Sequence, residues 1–227
     1  LLLLACADKV ADTDDPRDGG AALDGGAHSD GGSDGGGGGD GSGTSNTGVA
    51  VEGGALVQST GTGSEAATIT INGAGGVGTA DSHGVYLTDA VTGLRSSVGA
   101  VSISGTAVSA SGRGVFLENS AAIDATDGSG TGTATVTISG QGSGDPGVEI
   151  NSTIHSDTGT VTLISEDHVR FGTAGLIDSA SGTVTVVADN VAGPGGGMID
   201  MLDGSKIDAG SGLIDLDADG DIHLAAL

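Results

Sequence analysis

Three stretches decide how this chain folds: Thr160-Val161-Thr162-Leu163-Ile164-Ser165-Glu166, Thr183-Val184-Thr185-Val186-Val187-Ala188-Asp189 and Leu213-Ile214-Asp215-Leu216-Asp217-Ala218-Asp219. They align without gaps, at offsets of 23 and 30 residues. One set of alternate positions gives the columns Val161/Val184/Ile214, Leu163/Val186/Leu216 and Ser165/Ala188/Ala218, all apolar or small. The other set gives Thr162/Thr185/Asp215, Ile164/Val187/Asp217 and Glu166/Asp189/Asp219, which drifts toward acid. A period of two with β-branched side chains means a strand with one buried face. Columns that keep their character from copy to copy mean strands stacked in register.

Working outward, the same signal runs upstream. Gly48-Val49-Ala50-Val51, Gly84-Val85-Tyr86-Leu87, Gly114-Val115-Phe116-Leu117 and Gly147-Val148-Glu149-Ile150 recur at intervals of 36, 30 and 33 residues. A second alternating run follows each of the first three: Thr68-Ile69-Thr70-Ile71, Ala100-Val101-Ser102-Ile103 and Thr135-Val136-Thr137-Ile138. Clusters of Gly, Ser, Asn and Asp between the runs are turns. No stretch carries a capped 3.6-residue apolar period, so almost no helix is expected. A β-sandwich has no reason for near-equal repeats of this length, whereas one solenoid coil of two or three short strands does. The reading is an all-β parallel β-helix over residues 48–227, with Val85, Leu87, Val115, Leu117, Val148 and Ile150 in one inward stripe.

Composition agrees with a thin core. Of 227 residues, 47 are glycine, while tryptophan is absent and Tyr86, Phe116 and Phe171 are the only aromatic rings apart from histidine. A thick globular core normally uses aromatics as filler; a narrow stack of Val, Ile, Leu and Ala does not need them. With 30 acidic and 6 basic residues the formal charge is −24. That disfavours nucleic acid and anionic membrane surfaces, which are bound by Lys and Arg patches. No stretch reaches the ~18 apolar residues of a membrane helix, and a single cysteine, Cys6, builds no internal disulfide framework.

Residues 1–47 stand apart. From Gly19 to Gly43, 13 of 25 residues are glycine, mixed with Asp and Ser. Such a segment buries too little to offset its chain entropy, so a disordered linker over residues 7–43 is expected. Gly35 to Asp40 fits the opening of a calcium-binding nonapeptide repeat, but in one copy, and that motif works by stacking copies. Leu3-Leu4-Ala5-Cys6 is similar to a lipobox, which would make Cys6 a lipidation site. Leu1–Leu4 equally resembles the end of a motif near the start of giant Gram-negative surface proteins, and a chance apolar run stands beside both. The chain begins at Leu1 and ends on a strand-like run at Leu227, so it reads as a fragment of a longer protein. Its last coil, closing on Asp221-Ile222-His223-Leu224, is expected to leave strand edges that pair with another chain or fray.

Gly182-Thr183-Val184-Thr185-Val186-Val187-Ala188-Asp189 and Asp203-Gly204-Ser205-Lys206-Ile207-Asp208-Ala209-Gly210-Ser211-Gly212-Leu213-Ile214-Asp215-Leu216 resemble repeats of giant bacterial surface proteins of the filamentous-haemagglutinin and calcium-binding adhesin kind. The resemblance covers about residues 48–227. It implies export to the cell surface or outside the cell, in association with the outer membrane, a β-helical shaft, and a structural or adhesive role. It also implies further repeats of the same chain, with a host cell, a neighbouring cell or an extracellular glycan as partner. It implies no catalytic residue.

The sequence offers few chemical sites. Glu166, Asp189 and Asp219 are expected to stack as one outward column; calcium is the natural ion for it, and a calcium-responsive module is one alternative function. Tyr86 and Phe116 share an outward position on adjacent coils and are expected to form a small exposed ring ladder, either packed over a turn or offered to a glycan. A β-helical polysaccharide lyase or hydrolase is the other alternative. It needs paired carboxylates with a nearby base, yet Arg95, Arg113, Arg170 and Lys206 fall in different coils. No cofactor other than calcium is expected. Glu166-Asp167-His168 and the sequon Asn151-Ser152-Thr153 read as turns, and no two of the five histidines have zinc spacing.

Overall fold

The computed structural model describes residues 46–63, 66–78, 82–143, 146–188 and 196–225, together with the backbone of two-residue strands at Leu2–Leu3 (β1) and Ala27–His28 (β2). The rest of the expected linker, Cys6 and Asp189 lie outside the described residues. Among the described residues there is no α-helix; the chain is all β.

Each coil contributes one short strand to each of three sheets. The first sheet carries β5 (Ile69–Ala74), β8 (Val101–Thr106), β11 (Val136–Gln141), β14 (Val161–Ser165), β17 (Val184–Ala188) and β20 (Ile214–Ala218), in that order. The second carries β3 (Val49–Val51), β6 (Val85–Leu87), β9 (Val115–Leu117), β12 (Val148–Ile150), β15 (Val169–Phe171), β18 (Ile199–Met201) and β21 (Ile222–His223). The third carries β4 (Leu56–Ser59), β7 (Gly93–Ser96), β10 (Ala122–Ala125), β13 (Thr153–Ser156), β16 (Leu176–Ser179) and β19 (Lys206–Asp208). Neighbours among these strands are parallel and come from successive coils, so the coils stack around one core as a parallel β-helix. β1 adds to the first sheet beside β5, and β2 pairs antiparallel with β3.

Apart from Glu166/Asp189/Asp219, which includes a residue outside those described, the columns read from sequence are the columns observed. Val161, Val184 and Ile214 are successive partners, as are Leu163, Val186 and Leu216. Val85, Leu87, Val115, Leu117, Val148 and Ile150 are all fully buried and in register. Burying each such side chain contributes roughly 1.5–3 kcal/mol, so a core one residue thick, repeated along the axis, suffices. Phe171 is the one aromatic ring inside, stacked between Ile150 and Met201. In the last coil Ile214 and Ile222 are 42% and 40% exposed.

In the coils of β5, β8 and β11 glycine occupies the corner between the first and second sheets because a Cβ there would meet backbone. Gly73, Gly105 and Gly140 form one column, facing Gly84, Gly114 and Gly147. A Cβ on Gly140 would sit 2.5 Å from the Gly147 carbonyl carbon, and closer still to its oxygen. Ser165, Ala188 and Ala218 continue this column with side chains.

Serine marks the corner that leaves the third sheet. Ser96 donates to the carbonyl of Gly99 at 2.6 Å, Ser156 to Gly159 at 2.8 Å and Ser179 to Gly182 at 3.3 Å. Each hydroxyl satisfies itself on the glycine three residues on, which lets a polar group face inward without an unmet hydrogen bond. The glycine is required because a Cβ on Gly159 would meet the Ala134 carbonyl of the coil before it. Ala125 stands in this register without a hydroxyl, and Ser59 keeps the serine but not the glycine. The residue three on is Thr62, and the Ser59 hydroxyl has no partner among the described residues.

Candidate functional site

Two outward faces carry the polar chemistry. The first is the outer side of the second sheet. Its middle positions, in coil order, are Ala50, Tyr86, Phe116, Glu149, Arg170, Asp200 and His223. Tyr86 and Phe116 stack, with ring centroids 5.5 Å apart and planes 19° from parallel. The His83 ring touches both, at 5.1 and 5.2 Å. The Arg113 guanidinium lies 4.4 Å over the Phe116 ring and donates to Glu149 at 2.5 Å. Phe116 is therefore only 7% exposed, not one half of an exposed ladder. The rings share an outward position as the repeat required. What spacing did not show is that long side chains from neighbouring positions fold over them.

Tyr86 donates its hydroxyl proton to the Glu118 carboxylate, and partial burial together with that bond pushes its pKa up to about 12. The sign follows from which form is held: folding favours the neutral phenol, so the contribution is complete below pH ~10 and fades as pH rises toward 12. Tyr86 is the sole tyrosine of the chain. Titration by tyrosinate absorbance is thus expected to show one transition near pH 12; an ordinary midpoint near 10 would mean that the Tyr86–Glu118 contact is absent in solution.

Histidine has a structural use along the edge of this face. His83 Nδ1 accepts the Arg113 amide at 3.2 Å, and His168 Nδ1 accepts the Met198 amide at 3.0 Å. Each imidazole ties one turn to the turn of the next coil. Glu166-Asp167-His168 is accordingly the tight turn between β14 and β15, and Asn151 caps the Ala174 amide at 3.1 Å in the next coil.

The second face is the outer side of the third sheet, where Gln58, Arg95, Asp124, His155, Asp178 and Asp208 stand in register. Arg95 bridges to Asp124 at 3.1 Å, and His155 Nδ1 lies 3.5 Å from Asp178. The bases that look isolated in sequence each face an acid: Arg113 meets Glu149 and Arg170 meets Asp200 at 3.4 Å across coils, while Lys206 meets Asp208 of its own strand at 2.7 Å. Arg113–Glu149 is largely buried, whereas the other pairs are more exposed and add little stability; all of them relieve repulsion in a chain of charge −24. Beside the Arg95–Asp124 pair opens a cleft of about 470 Å³, lined by Gln58, Ser59, Thr60, Arg95, Asp124 and Asp127 among others. Asp127 is held by the Thr131 and Ser129 hydroxyls and amides, which lower its pKa well below the usual carboxylate range.

Glu166 and Asp219 follow directly after the paired positions Ser165 and Ala218, while Asp189, which would stand between them, is outside the described residues. Among the described residues no three His, Cys, Asp or Glu side chains gather as a metal site. Compared with protein-family models, with curated proteins and with solved structures, the chain matches none.

Proposed function

We propose that this chain is a structural or adhesive repeat segment of an exported cell-surface protein, with no catalytic role. The observation that carries the reading is the unbroken register of three parallel sheets through every coil, with polar side chains repeating along each outer face. At ~4.8 Å per coil the stack extends ~30 Å, and every coil added to such a shaft lengthens it without new design. Repeated polar contacts at fixed spacing suit multivalent attachment, in which individually weak contacts add through effective concentration. A host cell, a neighbouring cell or an extracellular glycan is the partner this display would meet. The strong negative charge keeps such a rod soluble and away from nucleic acid.

The test is surface exposure on the producing cell. Antibody raised against residues 46–225 is expected to label intact cells, and external protease to remove the signal. Labelling that requires permeabilised cells would overturn the reading.

A further inference from the structure

We infer that the cleft on the third sheet is a binding site for a neutral polyhydroxylated ligand, such as a non-acidic sugar unit. The inference deepens the display reading above and rests on it. The cleft of about 470 Å³ is within the usual range for small-molecule sites, ~300–1,000 Å³. Its walls present an amide (Gln58), a guanidinium (Arg95), a carboxylate (Asp124) and the hydroxyls of Thr60, Ser97 and Thr126. Donors and acceptors alternate from coil to coil, because Gln58, Arg95 and Asp124 are register partners at ~4.8 Å spacing. A sugar hydroxyl both donates and accepts, so a wall of this kind can meet several hydroxyls of one ring.

Charge narrows the ligand. The lining holds one base, Arg95, against Asp124 and Asp127, and the chain around it is strongly acidic. Arg95 is already engaged by Asp124, so it offers an acidic ligand no free counter-charge. An anion is therefore disfavoured. No aromatic side chain lines the cleft, so single-site binding is weak and gains strength only by repetition.

The experiment is an amide chemical-shift titration of the whole chain with the methyl glycosides of glucose, galactose, mannose and N-acetylglucosamine, and with glucuronate. At least one neutral glycoside is expected to move amides in 58–60, 95–97 and 124–128 as a group. Arg95→Ala and Gln58→Ala, both at exposed positions, are expected to weaken that response about tenfold while leaving the remaining spectrum in place. No response to any of the four, shifts confined to other regions, tighter binding of glucuronate, or variants that bind like the parent would each overturn the proposal. None of these outcomes touches the labelling of intact cells, so the two readings fail separately.

Discussion

Gly140→Ala is expected to cost more than about 3 kcal/mol, an effect normally seen only for severe core damage. The reason is geometric. Gly140 lies where the first and second sheets meet, and its missing Cβ is the space occupied by the Gly147 carbonyl, 2.5 Å away at the carbon. That neighbour is backbone, tied into the ladder through the Val115 amide, which donates to the Gly147 carbonyl at 2.8 Å. It cannot turn aside as a flexible side chain would, so the methyl group must push two walls of the coil apart. Gly128→Ala is the control. It has a left-handed φ of 74° but nothing within 4 Å of a Cβ, so its cost is strain alone, ~1–2 kcal/mol. Denaturant unfolding followed by circular dichroism compares the two. Equal losses would mean that the corner is not close-packed.

Phe171→Ala is expected to lose ~3–5 kcal/mol. The ring is fully buried and fills the column between Ile150 and Met201. In a stack whose coils contact only their neighbours, the damage stays local. Tyr86 fluorescence reports on the coils of β6 and β9, three and two steps before β15. In the variant, circular dichroism is therefore expected to fall at lower denaturant than Tyr86 fluorescence, with the two transitions coincident in the parent chain. A small loss with coincident transitions would argue for a core that repacks around the gap.

The sequence shows the two sheets whose strands alternate clearly and hides the third. Val136-Thr137-Ile138 has two large inward residues in three, and the eye finds it. Gly93-Leu94-Arg95-Ser96 has one, because its second inward position is the serine that turns the corner. The usable signal there was not hydrophobic periodicity but the pairing of Ser96 with Gly99, Ser156 with Gly159 and Ser179 with Gly182. The cleft was hidden for the same reason, since its walls belong to that third sheet. Tyr86 and Phe116 show the converse case. Repeat spacing placed them side by side, but burial of Phe116 depends on Arg113, Glu149 and His83, whose reach across coils no linear pattern encodes. The charge ladders were invisible for a related reason: Arg95 and Asp124 are neighbours only once the coil length is known.

The stacked register itself is the central claim, and one distance tests it. Thr70, Ser102, Thr137, Thr162, Thr185 and Asp215 are successive outward partners along the first sheet. Nitroxides on Thr70→Cys and Asp215→Cys, with Cys6→Ala removing the native thiol, are separated by five coil steps of ~4.8 Å. Double electron–electron resonance is predicted to give one narrow distribution centred near 24 Å, five times that spacing. A broad distribution, or a centre far from that value, would contradict a β-helix built in this register.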